Sequence, residues 1–155
     1  MIDDITRERI RLSAADADAH TRRREALHRA VAELDGELEA LAAAPTPDAD
    51  RFRAAVREMM VAVREHVDEV DAADGLLAQV LETAPWFAAR VEQLRSEHGD
   101  LLARGNALLV RAATGADMAS LLAEARDLVA RVSDHRHAGT ALLFDTYLLD
   151  IPQGD

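Results

Sequence analysis

The sequence predicts an all-α protein, an up-down-up-down antiparallel four-helix bundle. Three observations predict it. The punctuation is sparse and regular: Ala44-Pro45-Thr46-Pro47-Asp48, Thr83-Ala84-Pro85 and Thr114-Gly115-Ala116-Asp117 separate long runs of helix-forming residues. Each run carries apolar residues at alternating steps of four and three, the spacing of helices packed at shallow angles. No run shows sustained β-branched alternation, so no strands are expected. Connections this short make neighbouring helices antiparallel.

The first helix is expected near 13–44, with Leu27, Val31, Leu34, Leu38 and Leu41 as its seam. An arm of mixed charge, 1–12, precedes it and reads either as a short helix or as an extension of the first. Ser13 with Asp16, or Thr21, are candidate N-caps. The second helix, near 48–82, carries Phe52, Val56, Met59, Val63, His66, Val70, Ala73, Leu77 and Val80. Gly75 is a point where it loosens. The third, near 86–113, carries Phe87, Val91, Leu94, His98, Leu101, Gly105 and Leu108, and Gly115 is its stop. The fourth, near 117–149, carries Met118, Leu121, Ala125, Leu128, Val132, His135, Gly139 and Leu142. The bundle domain is thus expected over 13–150, with a tail at 151–155. Trp86 with Phe87, and Phe144 with Tyr147, are expected to plug its two ends; Met59 and Met60 fill the core.

Composition removes most chemistry. The chain has 155 residues, which is enough to bury one core. It has no Cys, so disulfide scaffolds, thiolate zinc sites, Cys-ligated clusters and cysteine nucleophiles are excluded. Every basic residue is Arg; the missing Lys excludes Schiff-base chemistry and a phosphate-loop lysine. There is no GxSxG and no Gly-rich phosphate loop. A net charge of −11 makes nucleic acid a poor partner. No run reaches the ~18 apolar residues of a membrane span. The opening Met1-Ile2-Asp3-Asp4 lacks the basic and apolar regions of a signal peptide, so a cytoplasmic protein is expected.

Histidine carries the remaining signal. Three of the six His, namely His66, His98 and His135, occupy seam positions, and His28 flanks the first seam. At ~1.5 Å per residue, His28 lies about 24 Å before the first loop and His66 about 27 Å after it. His98 and His135 lie about 24 Å and about 27 Å on either side of the last loop. In an antiparallel bundle these heights coincide, so the four imidazoles are expected to share one layer. Neutral imidazole is the commonest metal ligand, and with carboxylates it suits iron, zinc or manganese. Glu69 stands one turn from His66 on the same face. Asp71, Asp74, Glu97 and Asp145 are further acids near the layer.

The pattern resembles the hemerythrin-like (HHE cation-binding) domain. The residues that carry the resemblance are Leu27-His28-Arg29-Ala30-Val31, Glu65-His66-Val67-Asp68-Glu69-Val70, Leu94-Arg95-Ser96-Glu97-His98-Gly99-Asp100-Leu101-Leu102 and Asp134-His135-Arg136-His137. The segment Leu142–Ile151 is similar to the C-terminal signature of a bacterial subgroup, with Pro152 in place of its Gly. Di-iron members add a Glu four after the second His, a His four after the third and an Asp five after the fourth. Here those positions hold Val70, Leu102 and Thr140. The bridging carboxylates of a di-iron centre are therefore absent from their matched places. What the resemblance implies is a non-haem metal-binding protein, taking iron or zinc, that senses O2 or NO or handles iron. A mononuclear set of His28, His66, His98 and His135 with Glu69 is the candidate site, with a small diatomic ligand or a protein as partner.

A metal-free alternative stays open. The histidines would then form a hydrogen-bonded polar layer inside a binding or regulatory bundle, and Val70 and Leu102 would be ordinary core. No catalytic residue is indicated. His20 and His137 are expected to be solvent-facing or flank residues, and Arg22-Arg23-Arg24 to form a solvated face pairing with Glu37 and other acids. Gly139, on the last seam one turn from His135, leaves room for a close approach by a helix, a ligand or a small molecule.

Overall fold

The computed structural model describes the backbone of residues 2–148 and the side chains of residues 21–147. The tail 151–155 and the signature residues Leu149–Pro152 lie outside the described residues, and so does the side chain of His20. The described residues are all-α, with no strand among them: α1 (Ile2–Ala43), α2 (Ala49–Val70), α3 (Leu76–Thr83), a 3-10 turn (Pro85–Phe87), α4 (Ala88–Ala113) and α5 (Met118–Leu148). α1 packs against α2 and α5, α2 against α4, and α4 against α5, so the long helices form a closed ring of neighbours.

Helix ends follow local chemistry. The α1 backbone is helical from Ile2, so the 1–12 arm continues into it, and Ser13, Asp16 and Thr21 lie inside a helix rather than at its start. Asp48 caps α2 by accepting from the Arg51 N–H at 3.0 Å. Asp117 does the same for α5, accepting from the Ser120 N–H at 3.0 Å and from its hydroxyl at 2.7 Å. α4 ends as the glycine predicts: Gly115 takes φ +86, and the Ala116 N–H donates back to the Arg111 carbonyl at 3.2 Å.

The second helix departs from expectation. It is not continuous over 48–82; α2 stops at Val70, the chain turns through 71–75, and α3 restarts at Leu76. The Asp71 N–H donates to the Val67 carbonyl at 2.9 Å and the Gly75 N–H to the Ala72 carbonyl at 2.8 Å. The turn is so tight that a β-carbon at Gly75 would sit 2.8 Å from the Val70 carbonyl oxygen and 2.9 Å from that of Ala72. Only glycine fits there.

The seams are the core. Leu27, Val31, Leu34, Leu38 and Leu41 are buried, as are Phe52, Val56, Met59, Met60, Val63, Leu101, Leu108, Leu121, Leu128 and Val132. These form the larger of two apolar clusters; Val70, Leu77, Val80, Val91, Leu94 and Leu142 form the smaller. Ala73 leaves the seam because it falls in the turn, where it is exposed. At Gly105 a β-carbon would overlap the thioether of Met60, so the missing side chain lets α2 and α4 approach closely. The expected aromatic end plugs are not plugs. Trp86, Phe144 and Tyr147 are 67%, 65% and 50% exposed, and only Phe87 is partly buried against the smaller cluster. Trp86 belongs to a 3-10 turn outside the helical seam, and Phe144 and Tyr147 flank the buried Leu142 and Thr146 on the outer side of α5.

Candidate metal centre

The two apolar clusters are separated by a polar layer. On α2, His66 stands between Val63 of the larger cluster and Val70 of the smaller. On α4, His98 stands between Leu101 and Leu94, and on α5, His135 between Val132 and Leu142. Each helix thus places one imidazole where the apolar seam changes cluster. The rings meet edge to face: centroids are 5.5 Å apart for His66 and His98, 5.6 Å for His66 and His135, and 4.6 Å for His98 and His135. One ring nitrogen from each lies within 4.8 Å of the other two. His98 and His135 are 1% and 5% exposed; His66 is half-buried.

His28 does not join them. It is exposed, because it lies about 100° round α1 from the buried Leu27 and so points off the seam. Glu69 does reach the same cavity as the three histidines, and its carboxylate pairs with Arg23 of α1 at 2.6 Å. Arg23 therefore meets Glu69, while Glu37 takes Arg51 in a two-pronged contact at 2.8 and 3.1 Å. His137 is exposed, as expected. Val70 is buried, Leu102 is half-buried against the larger cluster, and Thr140 is exposed, donating its hydroxyl to the Arg136 carbonyl at 3.0 Å. Asp145 is spent on Arg90 at 2.7 Å.

Two carboxylates stand behind the rings. His98 Nδ1–H donates to Asp71 Oδ2 at 2.9 Å, and His135 Nδ1–H donates to Glu97 Oε2 at 2.6 Å. An ionised carboxylate only accepts, so each contact fixes the proton on Nδ1 and leaves the Nε2 lone pair bare. His98 Nε2 is buried with no hydrogen-bond partner. Burial, reinforced by the neighbouring His135 and His98, holds His66 at a pKa of about 4, against a weaker upward pull from Asp71. Burial also lowers His98, with Asp71 opposing. Near neutral pH these two rings are neutral, the form that binds metal.

This donor set fits a transition-metal ion. Imidazoles at metal sites usually give their second N–H to a carboxylate, which sets the tautomer and the ring plane. Here that carboxylate is Asp71 for one ring and Glu97 for the other. Sequence spacing found the three seam histidines. It undervalued Asp71, which on an unbroken helix lies five residues past His66 and off its face. The turn at 71–75 carries Asp71 to α4 instead. Glu97 was visible as a nearby acid, but its partner on α5 was not.

No family model, curated protein or solved structure matches the chain.

Proposed function

We propose that the chain is a metal-binding four-helix bundle that holds one iron or zinc ion on His66, His98 and His135. The observation that carries the reading is the buried His98 Nε2, which lacks a partner while its Nδ1–H is fixed on Asp71. A buried acceptor left without a partner is costly unless something occupies it. The closed ring of long helices supports an up-down-up-down arrangement of the hemerythrin-like kind. Three imidazole nitrogens suit zinc or a mononuclear iron, and when bound such an ion would supply a Lewis-acid centre. Asp71 and Glu97, one charge each, balance a divalent ion from behind the rings. The resemblance adds sensing of O2 or NO, or iron handling, as the role. Protein purified without chelator and then loaded is expected to hold about one equivalent of iron or zinc. His66→Ala with His98→Ala removes it. Less than about one-tenth of an equivalent in the unaltered protein overturns the reading.

One observation favours the second reading, a metal-free regulatory bundle: Val70 is packed as ordinary core where a di-iron site would need a carboxylate. In that case the double variant changes stability and leaves partner binding intact.

A further inference from the structure

We propose that the cavity beside the histidine layer binds a short aliphatic monocarboxylate, with its carboxylate at the histidine and arginine end and its chain along a leucine wall. The proposal rests on the metal-site reading only for the ion that the carboxylate meets. The cavity opens to solvent at its mouth, and its empty space of about 590 Å³ includes that solvent. The three histidines line it, and so do Leu76, Leu77, Leu142 and Leu143. Such a wall excludes sugars and polyphosphates, which need polar partners throughout.

Charge selects the head group. Arg24 and Arg136 also line the cavity, and among the described residues neither makes an ion pair with a carboxylate. The Nε of Arg136 is buried without a hydrogen-bond partner. The cavity's own acid, Glu69, faces Arg23. With Asp71 and Glu97 balancing a divalent ion, the two guanidiniums are left to attract one anionic head. His98 and Arg136 both line this cavity, and each has a buried nitrogen, Nε2 and Nε, with no hydrogen-bond partner among the described residues.

Gly139 sets the room. Glycine inside a helix is unfavourable against Ala. Among the described residues no helix approaches it: a β-carbon there would meet nothing within 4 Å. Gly139 lines the cavity, so its missing side chain leaves that space open.

The test uses cobalt(II)-loaded protein and its visible spectrum. Hexanoate is expected to change the bands at least tenfold more tightly than acetate, because each buried methylene contributes about fourfold. Hexan-1-ol leaves them unchanged. Gly139→Leu is expected to keep the cobalt and weaken hexanoate at least tenfold. Equal affinity for hexanoate and acetate, or an unaltered response in Gly139→Leu, overturns the proposal while the metal site stands. If neither cobalt nor zinc nor iron binds, the metal reading falls, and calorimetry on the metal-free protein decides the cavity. Hexanoate heat that disappears in Arg136→Gln upholds it there, and no heat overturns it.

Discussion

Two carboxylates determine which nitrogen two of the three rings offer. Asp71 and Glu97 each accept a hydrogen bond from an Nδ1–H, which leaves Nε2 of His98 and of His135 as the nitrogen free to bind. Asp71→Asn and Glu97→Gln keep the size of the side chain and remove the charge. Each is expected to weaken zinc binding tenfold to a hundredfold, about the usual effect of such partners, as read by competition with a coloured chelator. Unchanged affinity in both would mean that the rings are held by packing alone. At this scale the sequence was partly legible. His66, His98 and His135 could be picked out because a 4-3 seam position fixes direction as well as height. His28 has the right height, but one step off the seam turns it outward, and height alone does not show that. The Asp71 contact was hidden because it depends on where the backbone stops being helical.

That stop belongs to the scale of the element. The run Val70-Asp71-Ala72-Ala73-Asp74-Gly75 contains no proline, and Leu77 and Val80 keep the seam spacing on its far side. Spacing therefore reads straight through a break that the backbone makes, whereas the proline-marked loops at Pro45 and Pro85 were plain. The glycine is the one local sign. Gly75→Ala forces a methyl against the carbonyls of Val70 and Ala72. It is expected to destabilise the fold by about 1–3 kcal/mol and also to weaken zinc binding, because Asp71 sits in the same turn. Gly36→Ala is the contrasting change: Gly36 is exposed within α1 with open space around it, and alanine there is expected to stabilise by about 0.5–1 kcal/mol with zinc affinity unaltered. Thermal melts with parallel zinc titrations check both. A drop in stability without a drop in affinity for Gly75→Ala would separate the turn from the site.

For the whole molecule, the histidine layer sets a pH dependence. His66 is held near pKa 4 in the folded, metal-free protein, below the ordinary value of 6.5. Between those values the unfolded chain binds a proton that the folded chain refuses, so stability falls as pH drops from about 6.5 toward 4 and is level above about 7. The contribution of His66 is on the order of 3 kcal/mol, which for a chain of this length lowers Tm by roughly 6–12 °C. His98 shifts in the same direction and adds to it. Melts of the metal-free protein at steps from pH 7 to 4 should show the fall, and His66→Gln should remove much of it; a flat series would contradict a buried neutral layer. Among the described residues, the three ring donors come from α2, α4 and α5, and none from residues 21–43 of α1. A bound ion would therefore oppose any opening that parts those three helices, and would not act directly on the peeling of α1. Amide hydrogen exchange should slow on zinc loading around residues 66, 98 and 135 more than along residues 27–41 of α1. The ion would close a clasp on one side of the molecule, and residues 21–43 of the first helix would be the part that can swing away without letting it go.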